Sequence, residues 1–272
     1  MKTIIYDDGC PLCQAYTAGF VQAGILTKEG RKNFNNADAG IMALVDPDRC
    51  HNEIPLVDSN TNQVWYGVDS LLELLGSRAP FIKKFGNLPL VNWLLRKLYN
   101  FISYNRKVIV GTLSAGGYDC SPRFSIKYRL AFIISLFLLN SALLISFYHS
   151  ILHKSILNGT SLNEVLAVHF MLALIHLVIA VWLGAKKGIE YFGQVTVWAT
   201  TASLLLLPLH FASVVRPDLP SAFHFFYLGI AAMLLCAEYG RRIKYVLAAV
   251  KRKGLILVNL ASLLAVIVYF LY

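Results

Sequence analysis

The sequence predicts two parts of different fold class: an α/β N-terminal domain and an all-α bundle of about five transmembrane helices. Three observations lead to this division. A short apolar run near the N-terminus ends in acidic residues and a glycine, and a Cys-x-x-Cys follows at once. Hydrophobic residues make up 57% of the 272, too high a share for an ordinary soluble protein. From about residue 130 onward, long apolar runs alternate with short basic loops.

The N-terminal motif runs through the apolar residues 4–6 and the turn 7–9 to Cys10 and Cys13. The pattern after it suits a helix, so we expect a strand, a tight turn and two cysteines on the first helical turn. This is the layout of a thioredoxin-like redox site. The N–H groups and the positive dipole end at a helix N-terminus favour a thiolate over a thiol. Pro11 suits the first helical position, where its missing N–H costs nothing.

Two other interpretations of the cysteine pair stay open at this stage. The pair could be half of a structural zinc site, with Cys50 and His51 as the other half. It could also consist of two inert core cysteines. Redox chemistry is favoured because no second Cys-x-x-Cys exists and because the pair follows a strand end. Cys50 is interpreted as a surface thiol rather than as a second redox partner.

The rest of the domain has the signals of a small α/β fold. We expect a strand at 31–34, a short helix at 37–45, a hairpin around the polar turn 59–62, and an amphipathic helix from residue 68 closed by Gly76. Residues 88–106 have helical spacing; we expect them to pack on the domain, with a helix lying on the membrane surface as the alternative.

Three segments of the N-terminal part resemble the DCC-type thiol-disulfide oxidoreductases. These are Asp7-x-x-Cys10-x-x-Cys13, the stretch 66–71 (Tyr-Gly-Val-Asp-Ser-Leu) and the stretch 99–106, which ends in Asn105-Arg106. The resemblance covers roughly residues 2–110 and implies a thioredoxin-like fold and dithiol chemistry, without implying a substrate.

The resemblance also implies roles for individual residues. Cys10 would be the attacking thiolate and Cys13 would resolve the mixed disulfide. Asp7 would be the family acid, aiding proton transfer from Cys13 or tying the turn to the helix; a capping residue with only local hydrogen bonds is the alternative. In thioredoxin-like folds a cis proline precedes the strand that faces the redox turn, and Pro55 falls at that place. An ordinary edge-strand proline is the alternative.

The second part contains five apolar segments of the length that crosses a bilayer as a helix. They are residues 130–149, 164–185, 192–214, 221–239 and 255–272. We therefore place the redox domain at 1–115, a linker at 116–129 and the membrane domain at 130–272.

Basic residues lie mainly on one side of these segments, which predicts the orientation by the positive-inside rule. One side holds Arg123, Lys127, Arg129, Lys186, Lys187, Arg241, Arg242, Lys244, Lys251, Arg252 and Lys253; the other holds Lys154 and Arg216. We expect an inner-membrane protein with its N-terminal domain in the cytoplasm and Tyr272 outside. The N-terminus lacks the pattern of a signal peptide, which agrees with this orientation.

Two histidines within the second apolar segment are candidates for cofactor binding. His169 and His176 are seven residues apart and therefore share a helix face. Such imidazoles could hold a haem, a metal or a quinone headgroup, although hydrogen bonds between helices would also explain them. The dithiol chemistry itself requires no cofactor.

The function predicted from these patterns is that of a membrane-anchored thiol-disulfide oxidoreductase. Its partners would be membrane lipid and a protein or small-molecule thiol or disulfide. The net charge of +10 does not indicate nucleic acid, because much of it lies in loops beside apolar segments. The alternative is a non-catalytic membrane binding or assembly protein whose thioredoxin-like domain is structural or binds a metal.

Overall fold

A computed structural model describes residues 1–111, 122–152, 160–246 and 254–261. The chain divides into two compact units, Met1–Tyr128 and Arg129–Tyr272. Cys120 and the greater part of the last predicted transmembrane segment lie outside the described residues.

The first unit is built on a four-stranded sheet in the order β2-β1-β3-β4. Strand β1 (Lys2–Tyr6) pairs in parallel with β2 (Arg31–Asn33) and antiparallel with β3 (Pro55–Asp58), which pairs antiparallel with β4 (Gln63–Tyr66). Helix α1 (Pro11–Gln22) connects the two parallel strands. This is the predicted α/β, thioredoxin-like fold, with the predicted second strand and hairpin in place.

The two central strands are buried on both faces at their middle residues, which explains why Ile4 and Ile5 on β1 and Leu56 and Val57 on β3 are adjacent apolar pairs. Neighbouring residues of a strand point to opposite faces of the sheet. Ile4 and Leu56 accordingly belong to one core cluster, with Leu26 and Leu74, whereas Ile5 and Val57 belong to the other. The sheet therefore separates two cores, each covered by helices.

The remaining helices of this unit surround the sheet. They are a 3-10 turn Phe34–Asn36, α2 (Ala39–Met42), α3 (Pro47–Cys50), α4 (Val68–Arg78), α5 (Pro80–Gly86) and α6 (Pro89–Val110). The prediction that Gly76 closes α4 is wrong, because the helix continues to Arg78. A Cβ at Gly76 would lie 2.6 Å from the Cβ of Lys83, so the glycine allows α5 to pack closely. Pro80 follows the true helix end, as prolines commonly do.

The second unit is helical throughout its described part. Helix α7 (Ile126–Phe147) begins three residues before this unit and is continued by a π-helical turn Tyr148–Leu152. The helices that follow are α8 (Leu162–Leu183), α9 (Ala185–Val215), α10 (Ser221–Val246) and α11 (254–261). Among the described residues, four helices are long and apolar enough to cross a membrane. The fifth predicted segment is described only as far as residue 261.

Small and polar residues hold the helices of the second unit together. Gly188 on α9 lies so close to α8 that an added Cβ would come within 1.9 Å of the carbonyl oxygen of Ala180. Asn140 on α7 donates to Thr200 Oγ1 at 3.1 Å and accepts from Ser203 at 3.1 Å. Close backbone contact at glycine and interhelical hydrogen bonds are both typical of helix packing in membranes.

Candidate redox site

The site begins where β1 ends and α1 starts. Asp7 Oδ1 accepts a hydrogen bond from the backbone N–H of Gly9 at 2.9 Å, which fixes the turn between the two elements. Cys10 is the N-cap of α1, with extended backbone, and Pro11 is the first helical residue. The prediction of a strand, a turn and cysteines at a helix start is therefore confirmed.

Cys10 occupies the N-cap position, where Ser or Asp is more usual. Its Sγ accepts a hydrogen bond from the backbone N–H of Cys13 at 3.4 Å. A helix N-terminus stabilises negative charge through such unpaired N–H groups and through the helix dipole. The first turn of α1 is therefore arranged to favour a thiolate at Cys10.

The two sulfurs have opposite acidities. The pKa of Cys10 is lowered from 9.0 to about 6, chiefly by a hydrogen bond from the Cys13 side chain, with further contributions from the Cys13 backbone N–H and Arg106. Burial and Asp7 act against this shift. The hydrogen bond to Cys10 and burial together raise the pKa of Cys13 well above its usual range. These opposite shifts favour the thiolate at Cys10 and the thiol at Cys13 in the reduced pair.

A buried arginine supplies positive charge near the two cysteines. Arg106 on α6 lies 3.6 Å from Asp7, measured from Nη2 to Oδ2, and the two side chains are 8% and 15% exposed. The same Nη2 donates to the carbonyl oxygen of His51 at 3.3 Å. Its charge lowers the pKa values of both Cys10 and Cys13.

Other residues of α6 attach this helix to the sheet beside the site. The hydroxyl oxygen of Tyr99 accepts from the backbone N–H of Ile54 at 2.9 Å, and Ser103 donates to the carbonyl oxygen of Asn52. Tyr99, Ser103 and Arg106 are spaced by four and three residues, so they lie on one helix face. The segment immediately before β3 is thereby fixed against α6. The prediction that this helix packs on the domain is confirmed.

A cavity of about 290 Å³ reaches one of the two cysteines. Most of its lining is apolar and comes from Leu12, Phe20, Leu71 and Ile102. Cys13, Tyr99, Ser103 and Arg106 add polar atoms, as does Tyr16, whose hydroxyl is hydrogen-bonded to the Cys13 side chain. Cys10 is 6% exposed and Cys13 is 4% exposed. The pair is therefore mostly covered by protein, and the cavity approaches it from the side of Cys13.

Pro55 occupies the first position of β3, opposite Tyr66. All peptide bonds between described residues are trans, so the expectation of a cis bond before Pro55 is wrong. Ile54 accounts for the extended path of the chain: its N–H donates to Tyr99 and its carbonyl oxygen accepts from the backbone N–H of Gly67 and from Ser70 Oγ. The chain thus enters β3 already aligned with the strand.

The other described cysteine of this unit has a structural environment. Cys50 is 2% exposed, packs in the core cluster that contains Ile5 and Val57, and donates to the carbonyl oxygen of Asp46 at 3.2 Å. Burial raises its pKa to about 12. Its interpretation as a surface thiol is wrong. No group of three or more His, Cys, Asp or Glu residues suited to a metal occurs within the described ranges.

The two candidate histidines of the second unit lie on α8 and face a common cavity of about 110 Å³. His169 Nε2 is 3.2 Å from Ser141 Oγ, and its ring stacks on Phe137. His176 Nδ1 is 2.7 Å from the hydroxyl of Tyr191. Hydrogen bonds between helices, the alternative considered from the sequence, are thus present. The binding of a haem, a metal or a quinone by these residues stays a prediction.

Fold and site together define a thioredoxin-like domain with two cysteines at a helix start, followed in the chain by helices long and apolar enough to cross a membrane. Residues 4–112 match the family model of the DCC1-like thiol-disulfide oxidoreductases, which confirms the resemblance seen in the sequence. The match ends before the second unit. No curated protein and no solved structure matches the chain. The family match and the four candidate spans support a membrane-associated oxidoreductase.

Arg106 is the site residue to which the sequence assigned no role. Its place in the segment 99–106, which contributed to the family resemblance, was the available signal. Helix α6 contains no acidic residue, so the sequence did not show which carboxylate Arg106 would pair with. In the structure this partner is Asp7, on another element.

Proposed function

We propose that this protein is a membrane-anchored thiol-disulfide oxidoreductase that cycles Cys10 and Cys13 between dithiol and disulfide. The observation that carries the proposal is the hydrogen bond from the Cys13 N–H to Cys10 Sγ at the start of α1. It supports Cys10 as the nucleophile, because the thiolate is the reactive form of cysteine.

In the reducing direction, the Cys10 thiolate attacks one sulfur of a substrate disulfide. A mixed disulfide forms, and the other substrate sulfur leaves as a thiolate. Cys13 then loses its proton and attacks Cys10 Sγ, which forms the Cys10–Cys13 disulfide and releases the second substrate sulfur. Two electrons pass from the pair to the substrate, which takes up two protons, one released by Cys13 and one from solvent. A substrate dithiol reacts with the oxidised pair by the reverse sequence.

The second step requires a base, because the pKa of Cys13 is raised. Once Cys10 is bound in the mixed disulfide, Cys13 no longer donates a hydrogen bond to a thiolate, so one of the two main causes of its raised pKa is removed. Asp7 and Arg106 are the nearby charged groups, and each acts on both sulfurs. We assign proton transfer from Cys13 to Asp7, with Arg106 holding the carboxylate in place.

The proposed location is the inner membrane, with the redox domain in the cytoplasm and the C-terminus outside. The distribution of lysine and arginine beside the candidate spans supports this orientation. The partner would be a protein or small-molecule thiol or disulfide on the cytoplasmic side.

The proposal is tested by intact mass measurement of the full-length protein after mild oxidation. Wild type should lose the mass of two hydrogen atoms, and Cys10→Ser and Cys13→Ser should each abolish this loss. Cys50→Ser is the matched control and should behave as wild type, because its thiol is buried in a separate core cluster. Stoichiometric zinc in the purified protein, lost with Cys10→Ser, would instead identify the pair as a metal site.

A further inference from the structure

Helices α5 and α6 present a continuous apolar face to the outside of the N-terminal unit. Leu90, Trp93, Leu94, Leu98 and Ile102 follow one another at helical spacing along α6, and between 40% and 76% of each is exposed. Phe81 and Phe85 on α5 are 73% and 63% exposed. We name these seven residues the α5–α6 face. Contiguous apolar surface of this kind marks an interaction site rather than an ordinary protein surface.

The opposite side of α6 is the one that packs on the domain. Ser103 and Arg106 are buried there, and Tyr99, on the same side, is hydrogen-bonded to Ile54. Up to Ile102, the domain therefore needs only this side of the helix for its own folding. The exposure of the other side is not accounted for by the core.

The charge around the face indicates what covers it. Residues 80–110 contain six basic residues and no acidic one; of the six, Lys83 and Arg96 pair with Glu73 and Asp69, and Arg106 is buried beside Asp7. Lys84 and Lys97 are exposed, and Lys97 lies over the Trp93 ring at 5.9 Å from its centroid. An amphipathic helix with lysines beside tryptophan and leucine is typical of a surface that lies in the headgroup region of an anionic bilayer.

Chain connectivity keeps this surface near a membrane. Helix α6 ends at Val110, and the first candidate span begins at Ile126. Fully extended, the segment between them reaches about 50 Å. The N-terminal unit is therefore held at the bilayer surface at a high effective concentration, so even weak affinity for lipid is sufficient for binding.

We propose that the α5–α6 face is a membrane-binding surface that lies on the anionic leaflet of the bilayer into which the protein is inserted. Ile102 belongs both to this face and to the lining of the cavity beside Cys13. Binding of the face to lipid therefore places that cavity next to the membrane surface. The proposal does not depend on the redox activity of the cysteines.

The test uses full-length protein in nanodiscs that contain brominated phosphatidylcholine, with or without phosphatidylglycerol. Bromine quenches tryptophan on contact, and the protein has Trp65, Trp93, Trp182 and Trp198. The two in candidate spans are quenched in every variant. Trp93 should also be quenched, so Trp93→Phe should lower the share of the emission that bromine quenches. Trp65, on β4, should not be quenched, so Trp65→Phe should remove only unquenched emission.

The lysines give an independent measurement. Changing Lys84 and Lys97 to glutamine together should weaken the quenching of Trp93 in nanodiscs with phosphatidylglycerol and have little effect without it. Lys28→Gln, an exposed lysine outside the face, is the control. Equal quenched emission in wild type and Trp93→Phe would overturn the proposal. So would a discrete dimer in the nanodisc with Trp93 unquenched, because a second copy of the chain would then cover the face.

Discussion

Arg106 on α6 and Asp7 at the end of β1 form an ion pair inside the N-terminal unit, with 3.6 Å between Nη2 and Oδ2. The pair joins two elements that are far apart in sequence and places both charges beside the cysteines. Arg106 lowers the pKa values of Cys10 and Cys13, and Asp7 raises them. The acidity of the dithiol therefore depends on a helix outside the Cys-x-x-Cys motif.

Replacing Arg106 by glutamine should raise the pKa of Cys10 and slow its alkylation near neutral pH. The rise should be partial, because the hydrogen bond from Cys13 remains the largest cause of the low pKa. The measurement is the pH dependence of iodoacetamide labelling at Cys10, followed by peptide mass spectrometry. Arg96→Gln is the control, since Arg96 is an exposed residue of the same helix that pairs with Asp69.

Arg106→Lys keeps the positive charge and should return the pKa of Cys10 part of the way to its wild-type value. This variant separates the effect of the charge from that of packing. Identical Cys10 profiles for Arg106→Gln and Arg96→Gln would contradict the role assigned to this arginine.

Tyr99→Phe should destabilise the N-terminal unit, because it leaves the Ile54 N–H without its hydrogen-bond acceptor. A buried donor left unpaired costs about 1–3 kcal/mol. Tyr104→Phe is the matched control: Tyr104 lies on the same helix and stacks on Tyr128, and its hydroxyl has no hydrogen bond to any of the described residues. Hydrogen exchange of β3 amides in the full-length protein should increase for the first variant only. Equal protection in both would show that the hydroxyl contributes nothing.

Gly188→Ala should loosen the contact between α8 and α9, since the new Cβ would overlap the carbonyl oxygen of Ala180. Overpacking of this kind costs about 1–3 kcal/mol. Gly229→Ala on α10 is the control, because an added Cβ there meets nothing within 4 Å. We expect Gly188→Ala to lower the thermal unfolding midpoint in detergent and Gly229→Ala to leave it unchanged. A midpoint unchanged by Gly188→Ala would argue against this helix pairing.

Cys50 should be unreactive in the folded protein, because burial raises its pKa to about 12. At neutral pH, iodoacetamide should label Cys10 and leave Cys50 unmodified until denaturant is added. Cys50→Ala should leave the reduction potential of the Cys10–Cys13 pair unchanged. Rapid labelling of Cys50 in the native protein would show that its thiol is open to solvent.

Local patterns in the sequence were sufficient for the backbone of the site. The apolar run, the acidic turn and Pro11 placed Cys10 at the start of a helix, and the polar turn at 59–62 placed the hairpin. Both signals act between neighbouring residues, so they persist in the folded protein. The long apolar runs of the later segments likewise indicated the four candidate spans, because a helix needs about 20 predominantly apolar residues to cross a bilayer.

Features that depend on contacts between distant elements were missed. Gly76 resembled a helix stop, but its lack of a side chain serves the close approach of α5. Pro55 was expected in cis by analogy, whereas Tyr99, Gly67 and Ser70 align Ile54 with the strand. The pairing of Arg106 with Asp7 could not be inferred, because an arginine in an amphipathic helix usually lies in solvent.

The ionisation of Cys10 is the property on which the account depends, and its pH–rate profile for alkylation tests it most directly. In the reduced full-length protein, the rate should follow a single ionisation with an apparent pKa of about 6 and stay high through neutral pH. A profile that rises only near pH 8.5, as for a free cysteine, would contradict the account.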